Sequence, residues 1–253
     1  MSAMILYHGE PNGPSLAVLA ALFESGVDAA TRFIDLQSGE RHSIPDLAET
    51  LARDMGVEGE GPVLVIDGEA MTESVFIAQF LDESGNGDLQ PKDAHAHWQM
   101  LMWCRRITER CAPAAAWLGC KAQPREALRA DPALIVSDDL RQRWALMAGS
   151  DFEEGATADS LGKVSDAAAL VESQLEDGRE WLMGKFSIAD LETYGWLAGM
   201  VLVVPDLLDG RPRFAAWLDR VADRPSVARA LSLARTADPR ASWAPGPEIN
   251  RWG

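Results

Sequence analysis

The N-terminal third of the chain alternates short apolar runs with one clear helical pattern. Residues 4–7 and 63–67 are compact apolar runs typical of buried strands, and residues 31–36 alternate well enough to form another strand. After the first run, apolar residues recur at helical spacing directly behind Ser15, and Gly26 lies where a helix C-cap glycine is expected. If the first two strands are parallel, this segment is a βαβ unit.

A hairpin and a further helix follow in the sequence. Asp67-Gly68 is a strong signal for a two-residue hairpin turn, after which residues 69–71 would form a very short returning strand. Thr72-Glu73-Ser74 then opens an apolar helix. A weaker helical pattern covers residues 44–55, so the predicted order is β-α-β-α-β-β-α.

Strand patterns largely stop after the Gly85-Asn86-Gly87-Asp88 turn. The remaining chain predicts helices rich in Ala, Leu, Trp and Met, at residues 94–122, 139–147, 160–177, 188–197 and 213–223. The tail from Thr236 is rich in proline and is predicted to be irregular. We therefore predict two domains, an α/β domain over residues 1–84 and an all-α domain over residues 94–253, joined by a linker over residues 85–93.

The charge of the chain argues against two classes of partner. With 23 basic and 39 acidic side chains, the 253-residue chain has a net charge of -16, which disfavours nucleic acid and anionic membrane surfaces. Residues 1–84 hold three basic and fifteen acidic side chains, a balance of -12. Local dipoles and hydrogen bonds, rather than overall charge, must therefore hold any anion that this domain binds.

Cysteine and histidine usage predicts neither disulfides nor a metal site. Cys104, Cys111 and Cys120 are an odd number without a Cys-x-x-Cys pair, which fits buried thiols in a reducing, cytoplasmic compartment. His95 and His97 are two residues apart and would diverge on a helix. The N-terminal sequence is not typical of a signal peptide, and no apolar run is long enough to span a membrane.

Several of these signals together resemble the glutathione transferase superfamily over essentially the whole chain. They are Ile5-Leu6-Tyr7 with a turn and Ser15 at a helix start, Gly61-Pro62-Val63-Leu64, Asp67-Gly68, Thr72-Glu73-Ser74, and a capping box at Ser187-Ile188-Ala189-Asp190. The resemblance implies a thioredoxin-like N-terminal domain followed by a helical-bundle C-terminal domain. It also implies glutathione as co-substrate and a dimer, formed with an identical or a homologous chain.

Within the superfamily, the chain looks most similar to bacterial β-aryl-etherases, which use glutathione to split lignin-derived aromatic ethers. The segments that carry this likeness are Pro14-Ser15-Leu16 through Leu22-Phe23-Glu24, Phe33-Ile34-Asp35 and Arg41-His42-Ser43. The implied reaction is attack of the glutathione thiolate on the carbon that bears the aryl ether, with departure of a phenoxide. Two alternatives stay open: a glutathione transferase acting on other electrophiles, and a catalytically weak subunit of a heterodimer.

The resemblance places Ser15 where a helix N-terminus would meet the glutathione thiolate. A free thiol has a pKa of about 8.5, and the backbone N–H groups and dipole of a helix N-terminus favour its ionised form. A hydrogen bond from the Ser15 hydroxyl would add about 1.5–3 kcal/mol. Tyr7 is the rival activator, because some transferase classes use a tyrosine near this position, but it lies within the predicted strand.

The resemblance also implies the other contacts to glutathione. Pro62 matches a position where the superfamily holds a cis-proline, which would turn the backbone of Gly61 toward the cysteinyl group. Ser74 suits the γ-glutamyl carboxylate, and Glu73 suits the ammonium group beside it. His42 matches a position that reaches the glycyl carboxylate in the etherases.

Two features depart from the family pattern. Asp54-Met55-Gly56 stands in place of the Asn-Pro that commonly precedes the proline loop, and Pro14 removes a backbone N–H beside Ser15. With the negative charge of the first domain, both changes predict weaker thiolate activation and weaker anion binding.

The acceptor site is expected between the two domains, against the start of the first helix and the long helix over residues 94–122. Trp98, Met102 and Trp103 would form an apolar wall that suits a small aromatic ether, with Trp117 further along the same helix.

Overall fold

The computed structural model describes residues 4–44, 47, 59–135, 137–149 and 152–248. A four-stranded sheet contains β1 (Met4–His8), β2 (Ala30–Phe33), β3 (Val63–Ile66) and β4 (Glu69–Met71), in the order β2-β1-β3-β4. β1 and β2 are parallel, whereas β3 is antiparallel to β1 and to β4. The predicted βαβ unit and the hairpin at Asp67-Gly68 are confirmed.

The second strand ends earlier than its alternating pattern predicted. β2 stops at Phe33, three residues before the predicted end. The side chain of Asp35 accepts hydrogen bonds from the backbone N–H groups of Gln37 and Ser38, and these start a 3-10 turn. A short acidic side chain thus offers the backbone an alternative to the sheet ladder.

Helix α1 (Gly13–Ser25) connects β1 to β2 and is apolar and buried on nearly all sides. It is enclosed because it packs against α2 (Ser74–Ser84) on one side and against a helix of the C-terminal region on another. Gly26 ends α1 with φ 71°, which confirms the predicted glycine C-cap. The predicted helix over residues 44–55 lies outside the described residues, apart from residues 44 and 47.

The C-terminal region is helical throughout most of its described length, as predicted. Its helices are α3 (Ala94–Arg106), α4 (Ala112–Ala122), α5 (Asp138–Ala148), α6 (Glu154–Gln174), α7 (Ile188–Leu197), α8 (Pro212–Ala222) and α9 (Pro225–Leu231). The last of these was not predicted. Within the described ranges, no helix is long and apolar enough to cross a bilayer.

The long helix predicted over residues 94–122 is continuous in extent but irregular in its middle. A π-helical turn, Ile107–Cys111, joins α3 to α4. Pro113 lies at the start of α4 and has no N–H to donate to the preceding turn. The regular hydrogen-bond ladder is therefore interrupted next to the π-helical turn.

Helix α7 lies at the centre of the molecule and packs against α1, α2 and α3. The predicted capping box is confirmed, because Ser187 and Asp190 bond reciprocally across the first turn. Asp190 Oδ1 also accepts from the Trp217 indole at 2.9 Å. Gly195 allows α7 to approach α1 closely, since a Cβ there would lie 2.5 Å from the carbonyl oxygen of Gly13.

Candidate functional site

Ser15 occupies the first turn of α1, as the third residue of the helix. Its side chain is buried, and its oxygen accepts a hydrogen bond from the Gly9 N–H at 3.1 Å. Because the oxygen accepts this bond, the hydroxyl hydrogen can be donated to a ligand. Asn12 rather than Ser15 is the N-cap residue, since Pro14 is tolerated in a first turn and the helix begins earlier than predicted.

A cavity of about 340 Å³ lies beside Ser15, between the two domains, and is called the Ser15 cavity below. Its aromatic lining comes from Phe33 of the first domain and from Trp196 and Trp243 of the second. The indoles of Trp196 and Trp243 are stacked, with ring centroids 6.5 Å apart. The rest of its lining is mostly polar or charged: Glu10, Asn12, Gly13, Pro14, Asp35, Leu36, Gln37, Glu60, Arg129, Arg235, Thr236, Ser242, Ala244 and Gly246.

Residues 242–248, called the strap below, run between the domains without helix or strand structure. The Glu60 N–H donates to the carbonyl oxygen of Pro245 at 2.7 Å. The side chain of Gln123 donates to the carbonyl oxygen of Trp243 and accepts from its N–H. Trp243 is 3% exposed, so the strap is anchored by burial as well as by hydrogen bonds.

The strap fits against its neighbours without spare room. A Cβ on Gly59 would lie 2.4 Å from the carbonyl carbon of Gly246, and a Cβ on Gly246 would lie 2.4 Å from Ala116 Cβ. Glycine is therefore required on both sides of this contact. The strap consequently fills the space beside the loop over residues 59–61, where the cysteinyl backbone of glutathione was expected.

Pro62 does not have the cis peptide bond that the resemblance implied. The described residues contain no cis peptide bond, so Gly61–Pro62 is trans. The trans form is the intrinsic preference of an X–Pro bond by about 0.5–1 kcal/mol. The prediction of a cis bond at Pro62 is therefore corrected. The backbone N–H of the neighbouring Glu60 is already used, because it donates to Pro245 of the strap.

His42 is buried and bonded to Glu60 instead of lining the Ser15 cavity. His42 Nε2 lies 2.6 Å from Glu60 Oε1, and the Trp144 indole donates to the same oxygen at 2.7 Å. Burial acts to raise the pKa of Glu60, but the hydrogen bond and charge of His42 and the charge of Arg41 outweigh it and lower the pKa overall. A carboxylate therefore occupies the place where His42 was expected to meet a carboxylate of glutathione.

A second cavity, of about 400 Å³, adjoins the start of α2 and is called the Ser74 cavity below. Glu73 precedes the helix with φ 68°, a left-handed conformation that is strained for a residue with a side chain. The cavity shares Trp196 with the Ser15 cavity and is bordered by Pro247 and Glu248 of the strap. Its remaining lining is Ser74, Val75, Phe76, Gln79, Leu101, Cys104, Arg105, Thr108, Glu109, Ala112 and Pro113.

The Ser74 hydroxyl is used in a bond between the domains. It donates to Glu192 Oε2 of α7 at 2.9 Å, and the Trp196 indole donates to Glu192 Oε1 at 2.7 Å. Burial raises the pKa of Glu192 to about 7, although both of these hydrogen bonds oppose the rise. Ser74 lies at the predicted γ-glutamyl position, but its side chain is engaged within the protein.

The predicted acceptor wall is not at the Ser15 cavity. Trp98 and Met102 are 55% and 43% exposed on the outer face of α3 and line a separate surface cavity. Trp103 is buried, and its indole donates to Thr193. The aromatic side chains that line the Ser15 cavity are instead Phe33, Trp196 and Trp243, and the prediction is corrected. Helical spacing shows which residues share one face of a helix, but it does not show whether that face lines a cavity or faces solvent.

Tyr7 and the cysteines are core residues. Tyr7 is 4% exposed and packs in a small cluster with Ile34 and Val63, away from the Ser15 cavity. Cys104, Cys111 and Cys120 are free and buried, and burial raises the pKa of each thiol, for Cys111 to about 12. Within the described part of the chain, no group of His, Cys, Asp or Glu side chains could hold a metal ion.

Four residues that shape the site were not predicted as site residues: Glu60, Glu192, Trp196 and Trp243. Glu192 and Trp196 lie four residues apart on α7, and that spacing could have indicated a shared helix face. Glu60 and Trp243 become site residues through partners far away in the sequence. No local pattern marks such contacts.

Comparison with known families finds two matching domain models. The model for the glutathione S-transferase N-terminal domain matches residues 2–83, and that for the glutathione S-transferase C-terminal domain matches residues 154–220. Together they cover more than half of the chain.

Among curated proteins, the chain is 25% identical to the protein LigF of Sphingobium sp. strain SYK-6, over 92% of this chain and 95% of that protein. The crystal structure of the β-etherase LigF from this strain aligns with a TM-score of 0.78 at 22% identity, covering 91% of this chain and 99% of the other. A theta class glutathione S-transferase of Xanthomonas axonopodis pv. citri, solved with glutathione bound, aligns with a TM-score of 0.66 at 18% identity, over 93% and 100%.

Proposed function

This chain belongs to the glutathione S-transferase family, and we propose that it uses glutathione to cleave β-aryl ether bonds in small lignin-derived aromatics. The observation that carries the proposal is the position of Ser15 in the first turn of α1, beside an aromatic-walled cavity between the domains. Glutathione is the co-substrate, and the thiolate of glutathione is the nucleophile.

The Ser15 end of α1 offers what a thiolate needs. The first turn of a helix presents backbone N–H groups without intrahelical partners and the positive end of the helix dipole. The Ser15 hydroxyl adds one donor, held in place by the bond that its oxygen accepts from Gly9. A charge-assisted hydrogen bond of this kind is worth about 1.5–3 kcal/mol, which lowers a thiol pKa by roughly one to two.

The reaction is a substitution in which atoms and charge balance. The thiolate sulfur forms a bond to the carbon that bears the aryl ether, and the carbon–oxygen bond breaks with its electron pair on the aryloxy oxygen. The products are a glutathione thioether and a phenoxide, which takes up a proton from water. The protein supplies thiolate stabilisation and positioning, since a delocalised phenoxide leaves without a strong acid.

The aromatic ether is the proposed acceptor for two reasons. The Ser15 cavity is lined by three aromatic side chains, Phe33 and the stacked Trp196 and Trp243, which suit a flat ring. The similarity to the β-etherase LigF extends over nearly the whole of both chains.

The decisive test is glutathione-dependent phenol release from each enantiomer of a guaiacyl β-ether dimer, with the chain purified alone. Release from one enantiomer supports the proposal. Release from neither, together with turnover of halogenated or nitroaromatic acceptors, would replace it with a transferase for other electrophiles.

The role of Ser15 is tested in the same assay. Replacing Ser15 with Ala should lower kcat/KM about 10- to 100-fold at pH 7, with a smaller loss at high pH where the thiol ionises unaided. Ser25→Ala is the matched control, because this buried serine at the other end of α1 bonds only to nearby backbone. Equal losses in both variants would show that the effect on Ser15 is structural.

A second candidate is a subunit that binds glutathione weakly and acts within a dimer. It is favoured by the trans bond at Pro62, by the pairing of His42 with Glu60, and by the strap beside the loop over residues 59–61. Phe76, Trp98 and Met102 are large exposed apolar side chains that a second chain could cover. Isothermal titration with glutathione, combined with light scattering of the chain alone and with a homologous chain, separates the two candidates.

A further inference from the structure

Arg235 belongs to the lining of the Ser15 cavity, and its guanidinium group stacks on an aromatic ring there. Its Cζ lies 3.9 Å from the centroid of the Phe33 ring, and Phe33 lines the same cavity. The backbone N–H of Arg235 donates to the carboxylate oxygens of Glu10, at 3.3 and 3.1 Å, which ties this part of the chain to the first domain. A guanidinium that stacks by its face keeps the N–H groups of its edge for other partners. Arg235 is exposed, so a ligand can reach these groups.

The other charged side chains that line this cavity have partners within the protein. Asp35 pairs with Arg129 at 2.5 Å, and Glu60 is bonded to His42 at 2.6 Å. In the part of the chain that the structure describes, the Arg235 side chain forms neither an ion pair nor a hydrogen bond. Its positive charge is therefore available to an anion that enters the cavity.

An available cation matters here because the surroundings are negative. Residues 1–84 have a charge balance of -12, so a carboxylate that approaches Ser15 needs a local positive group to hold it. His42 was predicted to do this, but it is buried and bonded to Glu60. Arg235 can supply the charge that His42 does not.

The chemistry of glutathione selects its glycyl end for this contact. Counted from the thiol sulfur, the glycyl arm is the shorter of the two, so it can remain within the cavity of about 340 Å³ when the sulfur lies at Ser15. The γ-glutamyl carboxylate has an ammonium group beside it, whereas the glycyl carboxylate carries an uncompensated negative charge. A guanidinium binds such a carboxylate through two parallel N–H···O hydrogen bonds.

We propose that Arg235 is a positioning residue for glutathione, whose guanidinium group binds the glycyl carboxylate while the thiolate lies at Ser15. The inference rests on the part of the proposed function that places glutathione in the Ser15 cavity, and it is independent of the identity of the acceptor. Arg235 follows α9 in the second domain, so glutathione is held by both domains at once.

The test compares glutathione with its glycyl amide, in which an uncharged group of similar shape replaces the terminal carboxylate. Isothermal titration of the unmodified chain gives both affinities without turnover. We expect glutathione to bind about five- to twentyfold more tightly than the amide, less than a fully buried charge pair would give, because Arg235 is exposed and water screens it. The difference should shrink as the concentration of sodium chloride rises.

Substitutions assign the preference to Arg235. Arg235→Gln should abolish the difference between the two ligands and leave the affinity for the amide unchanged, whereas Arg235→Lys should keep part of the difference. Arg229→Gln is the matched control, because Arg229 is also exposed and its Cζ lies 4.1 Å from the centroid of the Phe23 ring, but it does not line the cavity. This control removes the same charge and the same kind of stacking, so its preference for glutathione should match that of the unmodified chain.

Several outcomes would overturn the inference. They are equal affinities of glutathione and its amide for the unmodified chain, no measurable binding of glutathione, an unchanged preference in Arg235→Gln, and an equal loss of preference in Arg229→Gln. The two ligands on the unmodified chain decide the matter even if a variant does not fold. The preference without phenol release would contradict the proposed ether cleavage alone, whereas phenol release with equal KM values for glutathione and the amide would contradict this inference alone.

Discussion

Ser15 and Ser74 both stand in the first turn of a helix at the cleft between the domains, yet their hydroxyl groups have different partners. Ser15 accepts a bond from the Gly9 N–H and lines the Ser15 cavity, and no acceptor among the described residues takes its hydroxyl hydrogen. Ser74 donates its hydrogen to Glu192, across the domain boundary. The two serines are equally buried, at 1% exposure, so burial alone does not separate their roles.

The difference teaches that a helix N-terminus is a binding site only when its donors are not already used. At Ser74, the protein itself supplies a carboxylate, in the form of Glu192, where the γ-glutamyl carboxylate of glutathione was expected. At Ser15, no carboxylate from the described residues takes the hydroxyl hydrogen. Substitutions near Ser74 should therefore act first on stability, and substitutions near Ser15 should act first on chemistry.

The largest expected effect comes from removing Glu192. Glu192→Ala removes the acceptor that the Ser74 hydroxyl and the Trp196 indole share, which should lower the free energy of unfolding by about 2–5 kcal/mol. Glu192→Gln, which keeps one acceptor oxygen for Trp196, should cost less than about 1 kcal/mol. Urea unfolding of both variants measures this difference, and a Glu192→Ala variant as stable as the unmodified chain would refute the domain link.

The second largest expected effect is that the free energy of unfolding depends on pH because of Glu192. Burial raises its pKa in the folded chain to about 7, from an ordinary value of 4.5. The folded chain then holds more protons than the unfolded chain between these values, so the free energy of unfolding falls as the pH rises from about 4.5 to 7. The difference between the two values corresponds to about 3 kcal/mol.

Comparing unfolding midpoints of the unmodified chain and Glu192→Gln across this pH range isolates that contribution. Asp190, whose pKa burial raises to about 6, changes stability in the same direction but is common to both proteins. The unmodified chain should lose stability relative to the variant as the pH rises. Parallel profiles would mean that Glu192 is ionised throughout the range.

The smallest effect concerns the strap, which borders both cavities. Gly246→Ala would place a Cβ 2.4 Å from Ala116 Cβ, so the strap would have to shift from its present position against Ala116 and the loop over residues 59–61. If the shift breaks the bond from the Glu60 N–H to Pro245, a backbone donor becomes free for glutathione, whose affinity should then rise about five- to tenfold, the value of one backbone hydrogen bond. Gly155→Ala is the matched control, since a Cβ there meets nothing within 4 Å.

Isothermal titration with glutathione gives the affinities directly. A Gly246→Ala variant with unchanged affinity would show that glutathione does not use the backbone of this loop. A variant with weaker binding would show that the strap is part of the glutathione site instead of an obstacle within it.

The sequence predicted those parts of the fold that local chemistry determines. The hairpin at Asp67-Gly68, the C-cap at Gly26 and the capping box at Ser187 each depend on a few adjacent residues, and each is present. The predictions failed where local groups compete: Asp35 ends β2 early, and a π-turn interrupts the long helix just before Pro113. In the sequence, such competition appears only as two conflicting patterns over the same residues, such as a capping side chain within an alternating strand pattern or a proline within a helical pattern.

The site was less predictable because its key contacts join distant residues. Ser15 and Ser74 were identified from helix starts, but the partner of Ser74 lies 118 residues away. Trp98 was placed in the acceptor wall because its apolar helix could face the cleft, whereas the structure turns it outward. Glu60 is a polar residue between two glycines in the sequence, and only the structure shows that it is buried and bonded to His42 and Trp144.

The strap also has a consequence for the order of folding during synthesis. Asn12, at the start of α1, donates a hydrogen bond to the carbonyl oxygen of Ser242, which the ribosome adds 230 residues later. Every described helix is complete in the chain before residue 242 is made, so both domains can fold around a cleft whose wall is still missing. Closing so long a loop costs little extra stability but slows the contact, and the cavity beside Ser15 is therefore finished after the scaffold that holds it.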